Sequence, residues 1–185
     1  MLAAPSLSIN PCPAEHTWRM NPSQPLALRP FRPADDAPVL RSWVPGPVEL
    51  MTWAGPHFTW PLDDAQLAAY AAEPGRRTWT AVAQDGAPLG HVSLVDGRLG
   101  RVLIAPEARG RGLGGTLVSL AVSLGFDELA LQEIALGVWT HNTTALRIYE
   151  KLGFRTTETL EGVETVDGTP WSVHRMRLTA SDRRQ

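Results

Sequence analysis

The chain has 185 residues, 43% hydrophobic and 19% charged, with a formal net charge of −2, so it can bury one sizeable core and fits a single domain. No run of about 18 apolar residues occurs, which argues against a membrane span, and the slightly acidic balance argues against a general nucleic-acid binder, whose surface is broadly basic. The single cysteine, Cys12, can form no internal disulfide and completes no metal motif, so a reducing cytoplasm is the expected compartment and no metal is expected.

Residues 1–25 contain five prolines and no apolar block of the length a secretory signal needs. They are read as a flexible tail, residues 26–180 as the domain and 181–185 as a short C-terminal tail. Patterned sequence starts only at "LALRPFRPADD", which makes Met20 an alternative start.

"LALRPFR" reads as a strand and "PADDAPVLRSWV" as a helix entered through Asp35 or Asp36 as cap. Residues 44–62, rich in proline and glycine, read as irregular. "DDAQLAAYAAE" is a short helix with acids at its positive end. "TWTAVAQ" and "LGHVSLVD" flank the turn "DGAP" and form an antiparallel hairpin, and "GRLG" turns the chain into "RVLIA". Beyond the glycines that follow, Leu113, Leu117, Leu120, Ala121 and Leu124 recur at helical spacing. "EIALGVWT" is an apolar strand. "NTTALRIYEKLGF" has Asn142 as cap, an apolar stripe of Ala145, Ile148, Tyr149 and Leu152, and Gly153 where a helix ends left-handed. "RTTETLEG" and "WSVHRMRL" close the chain as a second hairpin. The pattern indicates an α+β (mixed α/β) domain.

The glycine cluster raises the question of an anion. "GRGLGG", Gly110 to Gly115, matches the dinucleotide pattern G-x-G-x-x-G literally. In a dinucleotide fold, however, the glycines come directly off the strand, whereas "PEAR" intervenes here, and no G-K-[ST] follows for a P-loop. A nicotinamide-dependent oxidoreductase rests on that loose match alone. A turn into a helix whose first amides lack internal partners suits a pyrophosphate, and Arg98, Arg101, Arg109 and Arg111 surround it with only one acid, Glu107. Pro106 cannot donate to a ladder, so the preceding strand should part from a neighbour near Ala105, and the freed backbone could pair with an amide-bearing arm. Pyrophosphate joined to such an arm describes coenzyme A.

Arg109-Gly110-Arg111-Gly112-Leu113-Gly114 resembles the R/Q-x-x-G-x-G/A motif of the GNAT superfamily of acetyltransferases, and "NTTALRIYEKLGF" resembles that family's later N-x-x-A-x-x-x-Y-x-x-x-G-F segment. The resemblance covers roughly Leu26 to Leu178. It implies a twisted mixed sheet of about seven strands with about four helices, the fourth and fifth strands splayed around acetyl-CoA. Carried over by position, the pantetheine contacts fall on the backbone of Val102, Leu103 and Ile104. The pyrophosphate contacts fall on Arg109, Gly110, Arg111, Gly112, Leu113, Gly114 and Gly115, with Thr116 just behind. Asn142 would hold the pantetheine arm or the thioester end, or serve as a plain cap. Tyr149 would be the general acid, although its place on the apolar stripe equally suits a core residue.

The implied activity is acetyl transfer from acetyl-CoA to a primary amine, on a small molecule or a peptide or protein N-terminus, with a non-catalytic acyl-CoA-binding module as the alternative. A backbone amide near Ile104 would polarise the thioester carbonyl. The general base is missing, because "GRVLIAP" has no carboxylate; His91 and His141 are candidates by chemistry alone. Trp53, His57, Phe58 and Trp60 would wall the acceptor pocket or simply anchor their loop. Exposed edges and tryptophan-rich loops would suit a homodimer.

Overall fold

A computed structural model of the chain describes residues 26–184; Cys12, Met20 and the expected N-terminal tail lie outside them. Seven strands form one sheet in the order β1-β2-β3-β4-β5-β7-β6. They are β1 (Ala27–Pro30), β2 (Arg77–Val82), β3 (Pro88–Val95), β4 (Arg98–Ile104), β5 (Glu133–Trp139), β6 (Arg155–Val166) and β7 (Thr169–Thr179). All neighbours are antiparallel except β4 and β5, which are parallel.

Five α-helices cover the sheet: α1 (Pro33–Ser42), α2 (Pro47–Ala54), α3 (Asp64–Ala71), α4 (Leu113–Ser123) and α5 (Thr143–Lys151). The helix beyond the expected four is α2, inside the stretch read as irregular. Pro47 occupies its first turn, where a missing N–H costs nothing and the fixed φ favours a helix; Gly55, at φ +61, ends it. The short helix α3 is capped by Asp63, whose Oδ1 accepts from the Gln66 amide at 2.8 Å. At the C-terminus, Asp182–Arg184 form a 3-10 turn, and Arg183 donates through both terminal nitrogens to Asp127, at 2.7 and 2.9 Å.

Asp36 works differently from the expected N-terminal cap. It lies one turn inside α1, accepts from the Arg32 amide at 2.8 Å, and is 4% exposed. Its carboxylate also accepts from both terminal nitrogens of Arg29 on β1 and from the hydroxyl of Thr80 on β2, at 2.7–2.8 Å. One carboxylate therefore ties the helix to two strands, and these donors hold it below the usual carboxylate range against the opposing effect of burial, the largest single influence.

The helices lie on both faces of the sheet. A Cβ added at Gly90 would meet Leu117 of α4 at 3.2 Å, whereas His91, the next residue, packs against Phe31, Trp53 and Tyr70. Successive strand residues face opposite ways, so α4 covers one face and the α1–α3 layer the other. Leu117, Ile134 and Leu178 are fully buried in the single apolar core.

Candidate active site

The site begins where the sheet comes apart. β4 and β5 share one register pair, Arg98 with Ala135, while β4 stays on β3 as far as Ile104 opposite Gly90, and the Ala105 amide still donates to Leu89 at 2.9 Å. Antiparallel alternation then turns the N–H groups of Val102 and Ile104 toward β5, where the ladder is missing. The strands part just beyond Arg98, seven residues upstream of the Ala105 position that Pro106 led one to expect, and Ala105 itself is still paired to β3.

A bulge re-aims this strand. Leu103 pairs with His91 and Gly100 with Ser93, so Arg101 and Val102 together face Val92 alone. Arg101 takes φ +55, a left-handed conformation that costs a non-glycine residue about 1–2 kcal/mol and that bulges use to redirect a side chain.

After Pro106–Ala108 the chain enters α4 through Gly110 and Gly112, at φ +75 and +77; Gly112 is the cap. Gly110, Gly112 and Gly115 would meet nothing within 4 Å if given a Cβ, whereas Gly114 would meet Ile148 of α5 at 3.1 Å. The left-handed cap points the first amides of α4 outward with no side chain before them. Arg109 is spent partly on the loop itself, its Nε donating to the Ile104 carbonyl at 3.1 Å.

A cavity of ≈ 690 Å³ runs from this helix start through the gap between the strands to α2. Among the residues expected to form the site, Val102, Gly114, Asn142 and Tyr149 line it. Leu103 and Ile104 lie next along the strand, and Arg109–Leu113 with Gly115 and Thr116 lie beside Gly114 without forming its walls. Asn142 caps α5, its Oδ1 accepting from the Ala145 amide at 3.2 Å. Tyr149 is 8% exposed, and its hydroxyl has no hydrogen-bond partner among the described residues. Burial pushes its phenol up to about 12, so it stays protonated at any physiological pH.

The two histidines proposed from chemistry alone are not in the cavity wall. His91 is 1% exposed, 3.1 Å from the Tyr70 hydroxyl and pushed down to about 3 by burial. His141 packs against Trp139 and Trp171. The histidine that lines the cavity is His57. Its Nε2 is 3.0 Å from Glu73 Oε1, and burial, then the charge of Arg101, hold the ring below its ordinary pKa. Glu73 also accepts from Nε and Nη2 of Arg76, at 2.9 and 2.6 Å. The sequence marks His57 only as a wall residue of the aromatic loop and not as a base, because its partner lies sixteen positions on and meets it only when α3 folds back.

Of the four aromatic-loop residues, Trp53 and His57 reach the cavity; Phe58 stacks behind Trp53 at 5.7 Å, and Trp60 is 46% exposed. Trp139 of β5 donates from Nε1 to the Met51 carbonyl at 3.0 Å, fastening α2 to the far strand. Arg101 lies 6.0 Å from the Phe58 ring centre; its Nε is buried without a partner, and burial lowers its pKa.

Residues 26–155 match the family described as "Acetyltransferase (GNAT) domain". The chain is 29% identical over 149 residues to the spermidine N(1)-acetyltransferase of Escherichia coli K12, covering 77% of this chain and 75% of that one. It is 31% identical over 84 residues to the peptidyl-lysine N-acetyltransferase YjaB of Salmonella typhimurium, covering 45% and 54%. The fold superposes with a TM-score of 0.75, at 22% identity, on the crystal structure of the Vibrio cholerae spermidine N-acetyltransferase in complex with CoA and spermine, covering 86% of this chain and 98% of that one. A split between parallel strands, opening beside a glycine-capped helix, is thus joined to a family match over most of the described residues, and the chain belongs to the GNAT acetyltransferase family.

Proposed function

We propose that the protein transfers the acetyl group of acetyl-CoA directly to a primary amine, with Tyr149 as general acid and His57 as general base. The observation that carries this reading is that one cavity joins the open edge of β4 and the start of α4 to both side chains. The diphosphate would sit on the amides from Gly110 to Gly115, and the pantetheine arm would pair with the outward N–H of Ile104 and C=O of Val102, the Ile104 carbonyl being taken by Arg109. The Val102 amide, on the stretch of β4 that lines the cavity, is the donor available to a thioester carbonyl as it gains negative charge.

The amine nitrogen attacks the carbonyl carbon, the carbon–sulfur bond breaks, and the thiolate takes its proton from Tyr149. The proton lost by the attacking nitrogen passes to His57. With Nε2–H donated to Glu73, Nδ1 is the lone pair left to receive it, and a depressed pKa keeps that lone pair free at neutral pH. Asn142 and the cap of α5 fix the helix that carries Tyr149.

Thiol release from acetyl-CoA, followed over a broad panel of amines, tests this reading. Amine-dependent release accompanied by acetylated product supports it. Tight acetyl-CoA binding with no release for any amine would favour the non-catalytic acyl-CoA-binding module instead.

A further inference from the structure

The acceptor end of the cavity has a distinct electrostatic character. Arg76, Arg98 and Arg101 line it against one carboxylate, Glu164. Arg76 is committed elsewhere: Glu73 neutralises it, Ser93 accepts from its Nη1 at 3.4 Å, and only 8% of its side chain is exposed. Arg98 and Arg101 have no ion-pair partner among the described residues. His57 is held neutral. The unmet hydrogen-bonding capacity in this wall is also of one kind. Trp53 Nε1 and Arg101 Nε are both buried donors without an acceptor.

These arginines stand apart from the expected diphosphate position. Gly110–Gly115 precede and open α4 on one face of the sheet. Arg101 is turned by its bulge toward Phe58 in the α1–α3 layer on the other, and Arg98 begins β4 at its only pairing with β5. A half-buried guanidinium without an ion-pair partner in the cavity wall disfavours a polycation there and favours an oxyanion, which two-pronged N–H donors match in geometry as well as in charge.

We infer that the acceptor is a small primary amine that carries its own oxyanion, a carboxylate or a phosphate, seated on Arg98 and Arg101 while its nitrogen faces His57. This rests on the acetyltransferase reading above and narrows its substrate class. The polyamine acetylated by the relatives named for spermidine would meet like charge here. The reach from the two guanidiniums to the reaction centre lies within one cavity, so the amine and the anion belong to one compact molecule.

The test compares kcat/KM, by thiol release from acetyl-CoA, for amines in matched pairs. Amino acids and short peptides are set against their own amides, aminoethyl phosphate against ethanolamine, and spermidine is run beside them. The inference expects each anionic member to exceed its neutral partner by about ten- to a hundredfold, the range for a hydrogen bond to a charged group. It also expects spermidine to be the poorest acceptor. The phosphate and carboxylate pairs identify which oxyanion is read. Arg98→Ala and Arg101→Ala should erase the preference by raising KM, with Arg101→Lys restoring part of it and acetyl-CoA thermal stabilisation reporting that each variant is folded. Neutral partners or spermidine reacting as well as the anionic amines, or a preference that survives both alanine variants, would overturn the inference while leaving the acetyltransferase reading intact. No release with any amine would remove both.

Discussion

His57 Nε2 and Glu73 Oε1 are 3.0 Å apart, and the same carboxylate grips Arg76 through its other oxygen. Glu73 is therefore fixed by one partner while it orients the other, and the imidazole that lines the cavity is held in a single tautomer.

His57→Ala should lower kcat by about 10²–10⁴-fold, the usual worth of a positioned base, with acetyl-CoA affinity unchanged. The pH dependence carries a sign. The folded His57 pKa lies below its ordinary value of 6.5, so kcat/KM should fall as pH drops through a value under that. Glu73 favours the imidazolium, and Glu73→Gln should move that acid limb to lower pH. Arg101 disfavours it, and Arg101→Ala should move the limb upward. A profile that ignores both variants would exclude His57 as the titrating base.

Tyr149→Phe separates a chemical from a packing role. The hydroxyl is without a partner among the described residues and the ring is buried against Phe154, their centres 5.8 Å apart. Removing the oxygen costs no protein hydrogen bond, so stability in urea should change by no more than about 0.5 kcal/mol. Turnover should nevertheless fall by about 10²-fold or more. Because burial pushes the phenol up to about 12, the native enzyme should show no loss of activity from Tyr149 ionisation up to about pH 10. A phenylalanine variant with full turnover would assign Tyr149 to the core.

Local chemistry made some of this legible in the sequence and topology withheld the rest. The Asn142 cap and Gly153 bounded α5, and the glycine run preceded α4, because each acts within a few residues of itself, whereas β4 leaves β5 just after Arg98, too far upstream for Pro106 to mark. The helix α2 was hidden because the prolines of its stretch were counted as breakers, although Pro47 falls in the first turn, where a missing N–H costs nothing. The His57–Glu73 pair, the four-way use of Asp36 and the redirected Arg101 depend on strand register and on α3 folding back, and none has a periodic signature. His91 and His141 attracted attention by residue type, which says nothing of which face of a sheet or which end of a strand they occupy.

Gly112→Ala tests the anion cradle. An added Cβ would strike nothing within 4 Å, so any effect comes from the backbone, whose φ of +77 at the helix cap costs a non-glycine residue about 1–2 kcal/mol. Either the strain is borne and stability falls by that amount, or the cap relaxes and the first amides of α4 swing away. If the cap relaxes, coenzyme A should bind about tenfold more weakly, measured by calorimetry, whereas dephosphorylated pantetheine should bind as before; if the strain is borne, stability alone falls and both ligands bind as before. Equal losses for the two ligands would place the diphosphate elsewhere.

His91 ties stability to pH. The ring is 1% exposed, edge-on to Phe31, 3.1 Å from the Tyr70 hydroxyl, and pushed down to about 3 by burial. Above pH 6.5 it is neutral both folded and unfolded and contributes no pH dependence. Below 6.5 the unfolded chain takes up a proton that the native core refuses, so stability falls as pH drops, by up to about 1.4 kcal/mol per pH unit for one proton, until the folded group itself titrates. His57, shifted in the same direction, adds to the slope over a narrower window, and Asp36 adds only below the carboxylate range because its folded pKa is depressed. Urea unfolding between pH 7 and pH 4.5 should show this decline in the native protein. His91→Gln should be less stable at pH 7 through its altered contact with Tyr70, yet flatter with pH by roughly one proton's slope. An unchanged slope in that variant would mean that the core accepts the imidazolium after all.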